Sequence, residues 1–176
     1  MKSYQTLAKQ NERTIRNFYA AFQCHDKNEM LNHVSKDLIL TVPGSGLNSG
    51  EYWYHDGFAT FISNILEYYG GKFTQEITAL AASDQHVMVR EFNVLNRKED
   101  PSVDWQLPMV MIYTLRDGVI SQMRVVPEYL DVYNAFWTKG AENPRGSVDL
   151  FAHGRHPLGN AFSEEQFDFM MEKYFG

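Results

Sequence analysis

The 176-residue chain reads as an α+β protein, helices first and a mainly antiparallel sheet after them, on three patterns. Gln106 to Pro127, QLPMVMIYTLRDGVISQMRVVP, places two apolar arms on either side of Asp117-Gly118, a dipeptide suited to the positive φ angles of a type I′ hairpin turn. Lys72 to Ala82 and His86 to Asn96 are further β-prone runs joined by the short polar turn SDQ. Upstream of both, apolar residues recur at helical spacing. The long hairpin is expected at the centre of the only sheet.

Ile15, Phe18, Tyr19 and Phe22 fall at i, i+3, i+4 and i+7, which predicts a helix from about Asn11 to Gln23. Asp26 followed by Glu29 forms a capping-box-like start to a short second helix, with Met30, Leu31 and Val34 inward. Leu38 to Val42 is a first strand, stopped by Pro43 at the head of the loop PGSGLNSG. A third helix carries Phe58, Phe61, Ile62, Ile65, Leu66 and Tyr69, with Asp56 as its expected cap and Gly70-Gly71 as its expected end. The charged stretch RKEDPSVD is expected to be a loop leading into the long hairpin. After the hairpin, Tyr129, Tyr133, Phe136 and Trp137 mark a short helix or turn that closes a domain spanning 1–137.

Residues 138–176 read as an extension and not as an independent domain. It is rich in Gly, Pro and Asn until SEEQ at 163, where a capping box precedes Phe167, Met170, Met171 and Tyr174 at helical spacing. That terminal helix needs a partner surface, on its own domain, over a pocket mouth or on a second subunit.

Composition narrows the function classes. Net charge is −6 and the basic residues are scattered, so the footprint of a nucleic-acid binder is missing. Cys24 is the only cysteine, which fits a reducing compartment. The N-terminal MKSYQTLAKQNER has no apolar core of a signal peptide and no run approaches a membrane span, so a cytoplasmic protein without membrane partners is expected. His25, His33, His86, His153 and His156 fall at no metal-ligand spacing, PGSGLNSG lacks the lysine of a phosphate loop, and Ser45 and Ser49 have no nucleophile-elbow setting. The 14% aromatic content is high and has either to be buried or to line a site.

Three stretches, NFYAAFQCHDKNEML, VPGSGLNSGEYWYHDGFATF and YTLRDGVISQMRVVPEYLDVYNAFW, resemble the nuclear transport factor 2-like superfamily, and within it SnoaL-like domains. The resemblance spans about residues 10 to 137 and implies a curved antiparallel sheet wrapped round the N-terminal helices as a cone. It implies cofactor-independent chemistry or simple binding, because that fold carries cyclases, isomerases, epoxide hydrolases, dehydratases and non-catalytic proteins. Tyr19 matches the oxyanion-donor tyrosine of ketosteroid isomerases. Val42 stands where those enzymes have their general-base aspartate and Met111 near their protonated one. The Arg-Asp-Asp set of limonene epoxide hydrolases falls on Glu91, Asn93 and Val125, so neither known catalytic set is reproduced.

The resemblance turns one face of the third predicted strand towards a cavity, and Glu91 and Asn93, two apart, share a face there. An inward Glu91 would be desolvated and suited to acid or base duty. A one-residue slip would instead bring Arg90 and Phe92 inside. His55, in YWYHD, is either a proton shuttle at the pocket rim or a surface partner of the helix start. Tyr19 is either an oxyanion donor or a core tyrosine. Alternation places Met109, Met111 and Tyr113 on one face of the hairpin, and Ser121, Met123 and Val125 on one face of its other arm. With Trp53 and Trp105 they could wall an adaptable pocket for a small hydrophobic molecule, or fill the core. Val110, Ile112 and Ile120 are expected on the opposite face, needing the cover of a homodimer. Two hypotheses result: an isomerase, cyclase or hydratase working by acid/base chemistry, and a non-catalytic binding or dimerisation domain.

Overall fold

The apolar stripe of the first helix settles against a single sheet. The structure, a computed structural model, describes residues 4–146. In chain order these form α1 (Tyr4–Gln23), α2 (Lys27–Asn32), β1 (Val34–Val42), β2 (Gly50–Trp53), α3 (Tyr54–Tyr68), β3 (Tyr69–Ala82), β4 (His86–Arg97), β5 (Asp100–Arg116), β6 (Val119–Pro127) and α4 (Leu130–Phe136). The strands make one curved, open six-stranded sheet in the order β2-β1-β6-β5-β4-β3, with the long hairpin β5–β6 at its centre as expected. Asp117 and Gly118 both take positive φ, 54° and 80°, as a type I′ turn requires. Ile15, Phe18 and Tyr19 of α1 pack with Phe58 and Ile62 of α3 against Val89, Leu107, Tyr113 and Met123 of the sheet.

One pairing departs from the antiparallel expectation, because β1 runs parallel to β6 while every other neighbouring pair is antiparallel. The whole β3–β5 meander separates these two strands in the chain, which gives the long connection that a parallel pair needs. The edge strand β2 was not expected. Leu40 pairs with Tyr52 and Val42 with Gly50, so PGSGLNSG connects two paired strands.

Other boundaries moved for local reasons. Asp26 does cap α2, its Oδ1 accepting from the Glu29 amide at 3.0 Å. Asp56 does not cap α3, which begins at Tyr54 without a side-chain cap and holds Asp56 in its first turn, where a negative charge suits the helix dipole. Gly70-Gly71 lies in β3 and does not end the helix. A Cβ on Gly70 would stand 2.6 Å from the Arg97 carbonyl oxygen, and Gly71 has φ +103°, so the pair serves an irregular register between Tyr69 and Phe73. Most of RKEDPSVD is strand: the chain turns at 98–99 and Asp100 already pairs with Arg97.

A bulge also corrects the face of two hairpin residues. Thr114 pairs with Gln122 and Leu115 with Ile120, leaving Ser121 as the extra residue, its hydroxyl donating to the Thr114 carbonyl at 3.1 Å. Beyond it the alternation inverts, so Ile120 is fully buried in the core instead of lying on the outer face. Ser121 is correspondingly no part of the inner wall.

The start of the extension is held by one buried cation. Arg97 donates to the carbonyls of Thr138 at 3.1 Å and Ala141 at 2.8 Å, approaches the Glu99 carboxylate at 3.2 Å, and lies 4.5 Å above the Trp105 ring. Its planar fork reaches several acceptors at once while its face stacks on the indole. The terminal helix expected from Ser163 lies outside the described residues. Replacement Arg97→Lys, which keeps the charge and loses the fork, is expected to cost about 2 kcal/mol, on the scale of hydrogen bonds to charged groups. Urea unfolding measures it, with faster amide exchange at residues 138–141 as the local signature; a cost below about 0.5 kcal/mol would remove the anchoring role.

Candidate functional site

Strand parity decides which polar groups enter the molecule. On β4, Val87, Val89 and Leu95 belong to the main core, so Glu91 and Asn93, on the same parity, face α1 and α3. Met88 and Arg90 point to the other face, where Met88 packs with Val110 in a separate small cluster. Glu91 is 5% exposed and Asn93 3%, and the alternative with Arg90 and Phe92 inside does not occur.

These two side chains open onto a cavity of about 100 Å³ between the sheet and the helices. Its walls are Phe18, Tyr19 and Phe22 of α1; Phe58, Phe61, Ile62 and Ile65 of α3; and Tyr133 and Trp137 at α4. The sheet adds Leu40, Phe73, Gln75, Glu91, Asn93, Leu95, Leu107, Met109, Met111, Tyr113, Met123 and Val125. Nine of these residues are aromatic and none is Lys, Arg or His. The space is small for a terpenoid, but the three methionines can re-pack around a larger guest.

Hydrogen bonds converge on Glu91. The Tyr113 hydroxyl donates to the Tyr19 hydroxyl at 2.9 Å, and Tyr19 donates to Glu91 Oε2 at 2.5 Å. Gln75 Nε2 reaches the same oxygen at 3.1 Å, while Asn93 Nδ2 donates to Oε1 at 2.8 Å. Gln75 stands opposite Asn93 in the β3–β4 register and reaches diagonally to Glu91. Four segments, α1, β3, β4 and β5, are thereby tied to one carboxyl group.

Burial pushes the Glu91 carboxyl above its ordinary value of 4.5, opposed by the hydrogen bonds from Tyr19, Asn93 and Gln75, which favour the ionised form. Tyr19 and Tyr113 are held well above the usual phenol value, first by burial and then by the nearby Glu91 charge, so both remain O–H donors. The group has the makings of a proton acceptor: a carboxylate oriented by neutral donors and uncompensated by any cation in its walls.

Of the side chains singled out from sequence, Glu91, Asn93, Tyr19, Met109, Met111, Tyr113, Met123 and Val125 meet around this cavity. Three do not. His55 Nε2 lies 3.0 Å from the Val34 carbonyl and joins the start of α3 to β1, away from the cavity wall. Trp53 is on the edge strand and 47% exposed, because parity turns Tyr52 and not Trp53 towards α3. Trp105 does face inward, but at the far end of β5, where Arg97 and Phe136 cover it. Tyr19 is also placed differently from an oxyanion donor, since its proton is directed at Glu91. Gln75 was missed, although Phe73-x-Gln75-x-Ile77 sets a polar group on an otherwise apolar strand face. Tyr133 and Trp137 were read only as closing the domain. No cluster of three or more His, Cys, Asp or Glu among the described residues could hold a metal ion, and no helix among them is long and apolar enough to cross a membrane.

Comparison with solved structures identifies relatives of the same shape. Bal32a, from a soil-derived mobile gene cassette, matches at 20% identity and a TM-score of 0.69 over 74% of this chain and 98% of its own. An NTF2-like protein from Burkholderia xenovorans LB400 matches at 19% and 0.60, over 73% and 93%. An LEH-like epoxide hydrolase of M. tuberculosis matches at 21% and 0.57, over 82% and 97%. At these identities the likeness is one of fold. No curated protein shows significant sequence similarity to the chain. The family description SnoaL-like domain matches residues 15–123, from the first buried residue of the α1 stripe to the β6 methionine in the cavity wall, and the chain therefore belongs to the SnoaL-like domains.

Proposed function

We propose that the cavity binds a small hydrophobic molecule and that Glu91 moves a proton on it without a cofactor, as in an isomerase, cyclase or hydratase. The observation that carries this reading is the Glu91 carboxyl itself, 5% exposed, lining an apolar cavity, held by three neutral donors and no cation. A buried charge with no structural counter-ion is costly, and its retention is best explained by use. In the simplest cycle Glu91 takes a proton from carbon beside a ligand carbonyl, giving an enolate and a neutral carboxylic acid. Tyr19, no longer held by a charged acceptor, is then free to donate to the enolate oxygen. Return of the proton to a different carbon completes an isomerisation with no net change in atoms.

A second reading, a non-catalytic binding and dimerisation domain, draws on the outer sheet face. There Met88 and Val110 pack with Ala81 and Ile112, and Val126 is 40% exposed. A homodimer through that face would cover Val126, whereas Met88 and Val110, the latter expected to need such cover, are already buried within one copy. Native mass spectrometry would register both the dimer mass and any retained ligand.

Single-ring enolisable ketones in D2O provide a direct test of proton transfer. Wild-type protein is expected to catalyse α-hydrogen exchange, with Glu91→Gln at least about 100-fold slower and Tyr19→Phe reduced less, in line with the usual worth of a positioned base. Ketone binding with exchange unaffected by Glu91→Gln would leave only the binding reading.

The raised Glu91 value also fixes the sign of a stability effect. The folded state holds a proton that the unfolded chain has released, so Glu91 stabilises fully below its ordinary value of 4.5 and loses that contribution as pH climbs through the folded value. The Glu91→Gln variant should therefore gain on wild type as pH rises from about 4.5, by about 1.4 kcal/mol for each unit of elevation. Urea titrations of both proteins across pH measure the slope; parallel curves would contradict the assignment.

A further inference from the structure

Both carboxamides that serve Glu91 are half used. Gln75 and Asn93 direct their N–H groups at the Glu91 carboxyl, Gln75 Nε2 at Oε2 and Asn93 Nδ2 at Oε1. Their carbonyl oxygens, Gln75 Oε1 and Asn93 Oδ1, are buried without a partner among the described residues. The tyrosine donors on this side are committed, Tyr113 to Tyr19 and Tyr19 to Glu91. Beside Glu91 the cavity thus presents two unsatisfied buried acceptors, each with a desolvation penalty that a donor would relieve, while the unpartnered Trp137 indole N–H belongs to the α4 part of the wall.

We infer that the ligand enters with a hydrogen-bond donor as its polar head, a hydroxyl or a protonated amine on a small apolar body, seated against the Gln75 and Asn93 carbonyls beside Glu91. An anionic head is rejected there: it would face the carboxylate and two carbonyl oxygens, and no Lys, Arg or His among the described residues lines the wall to receive it. The surrounding rings, Phe18, Phe22, Phe58, Phe61 and Phe73 among them, accommodate the apolar body, and their faces suit a cationic head as well as a neutral one. This deepens the proposed function by naming the class of ligand, one whose donor head is a group separate from the carbonyl on which Glu91 acts, and it rests on that reading only in requiring that the cavity binds a small molecule.

Calorimetric titration of the full chain with toluene, phenol, benzylamine, anisole and benzoate tests the inference. Phenol or benzylamine is expected to bind about 3- to 10-fold more tightly than toluene, the worth of one net hydrogen bond, with benzoate not bound and anisole no better than toluene. Gln75→Met should abolish that advantage while toluene affinity stays within about 2-fold, and Asn93→Leu provides the same comparison should Gln75→Met not fold. Glu91→Gln separates the two heads, since benzylamine loses its counter-charge and phenol does not. Toluene binding with phenol and benzylamine weaker would overturn the inference and leave the apolar pocket standing. Failure of every probe to bind the folded protein would overturn both.

Discussion

A carboxylate buried without a counter-ion is the constraint to which the rest of this molecule is fitted. Desolvation of an ionised Glu91 costs several kcal/mol unless donors replace the lost water. The fold supplies them from separate elements: Tyr19 from α1, Gln75 from β3, Asn93 from β4, and Tyr113 from β5 in support of Tyr19. Each bond fixes one element relative to the others, so the seating of the first helix on the sheet and the polar chemistry of the cavity are one arrangement. The bonds are neutral, which orients the group without compensating its charge.

Arg97 is the instructive contrast. It too is buried, at 6% exposure, but it is surrounded by carbonyl oxygens, an aromatic face and the Glu99 carboxylate. Its charge is matched, and its work is to hold residues 138–141 across the end of the sheet, next to the α4 region from which Tyr133 and Trp137 enter the cavity wall. One buried charge is balanced and structural; the other is unbalanced and available to a guest. The comparison separates the two roles by partners alone, without reference to burial, which is almost the same.

Much of the architecture was legible because local chemistry dictates it. Asp117-Gly118 can hardly be other than a tight turn between β-prone arms, and the Ile15, Phe18, Tyr19 and Phe22 stripe has only helical spacing. Where neighbours decided, the reading failed. Gly70-Gly71 resembles a helix stop until the Arg97 backbone is found against it, RKEDPSVD resembles a loop until β4 offers it a partner, and Ile120 changes face because of a bulge at Ser121. Trp53 was a candidate as an aromatic pocket wall and His55 by its place at a helix start; the parity of the edge strand β2 turned the first outward, and the Val34 carbonyl engages the second.

By itself, then, the sequence determined the periodicities: which segments are helix, where the central hairpin turns, and that Glu91 and Asn93 share a face, since a strand alternates whatever surrounds it. It did not determine which face. β4 carries apolar residues on both sides, Val87 and Val89 on one and Met88 and Phe92 on the other, so hydrophobic pattern gives no vote on whether Glu91 or Arg90 is buried. Only the tertiary structure decided that, by bringing Tyr19 from 72 residues away to within 2.5 Å of Glu91. The reason is that a buried carboxylate needs donors, and the donors that make this face the inner one are distant in the chain and adjacent only in the fold.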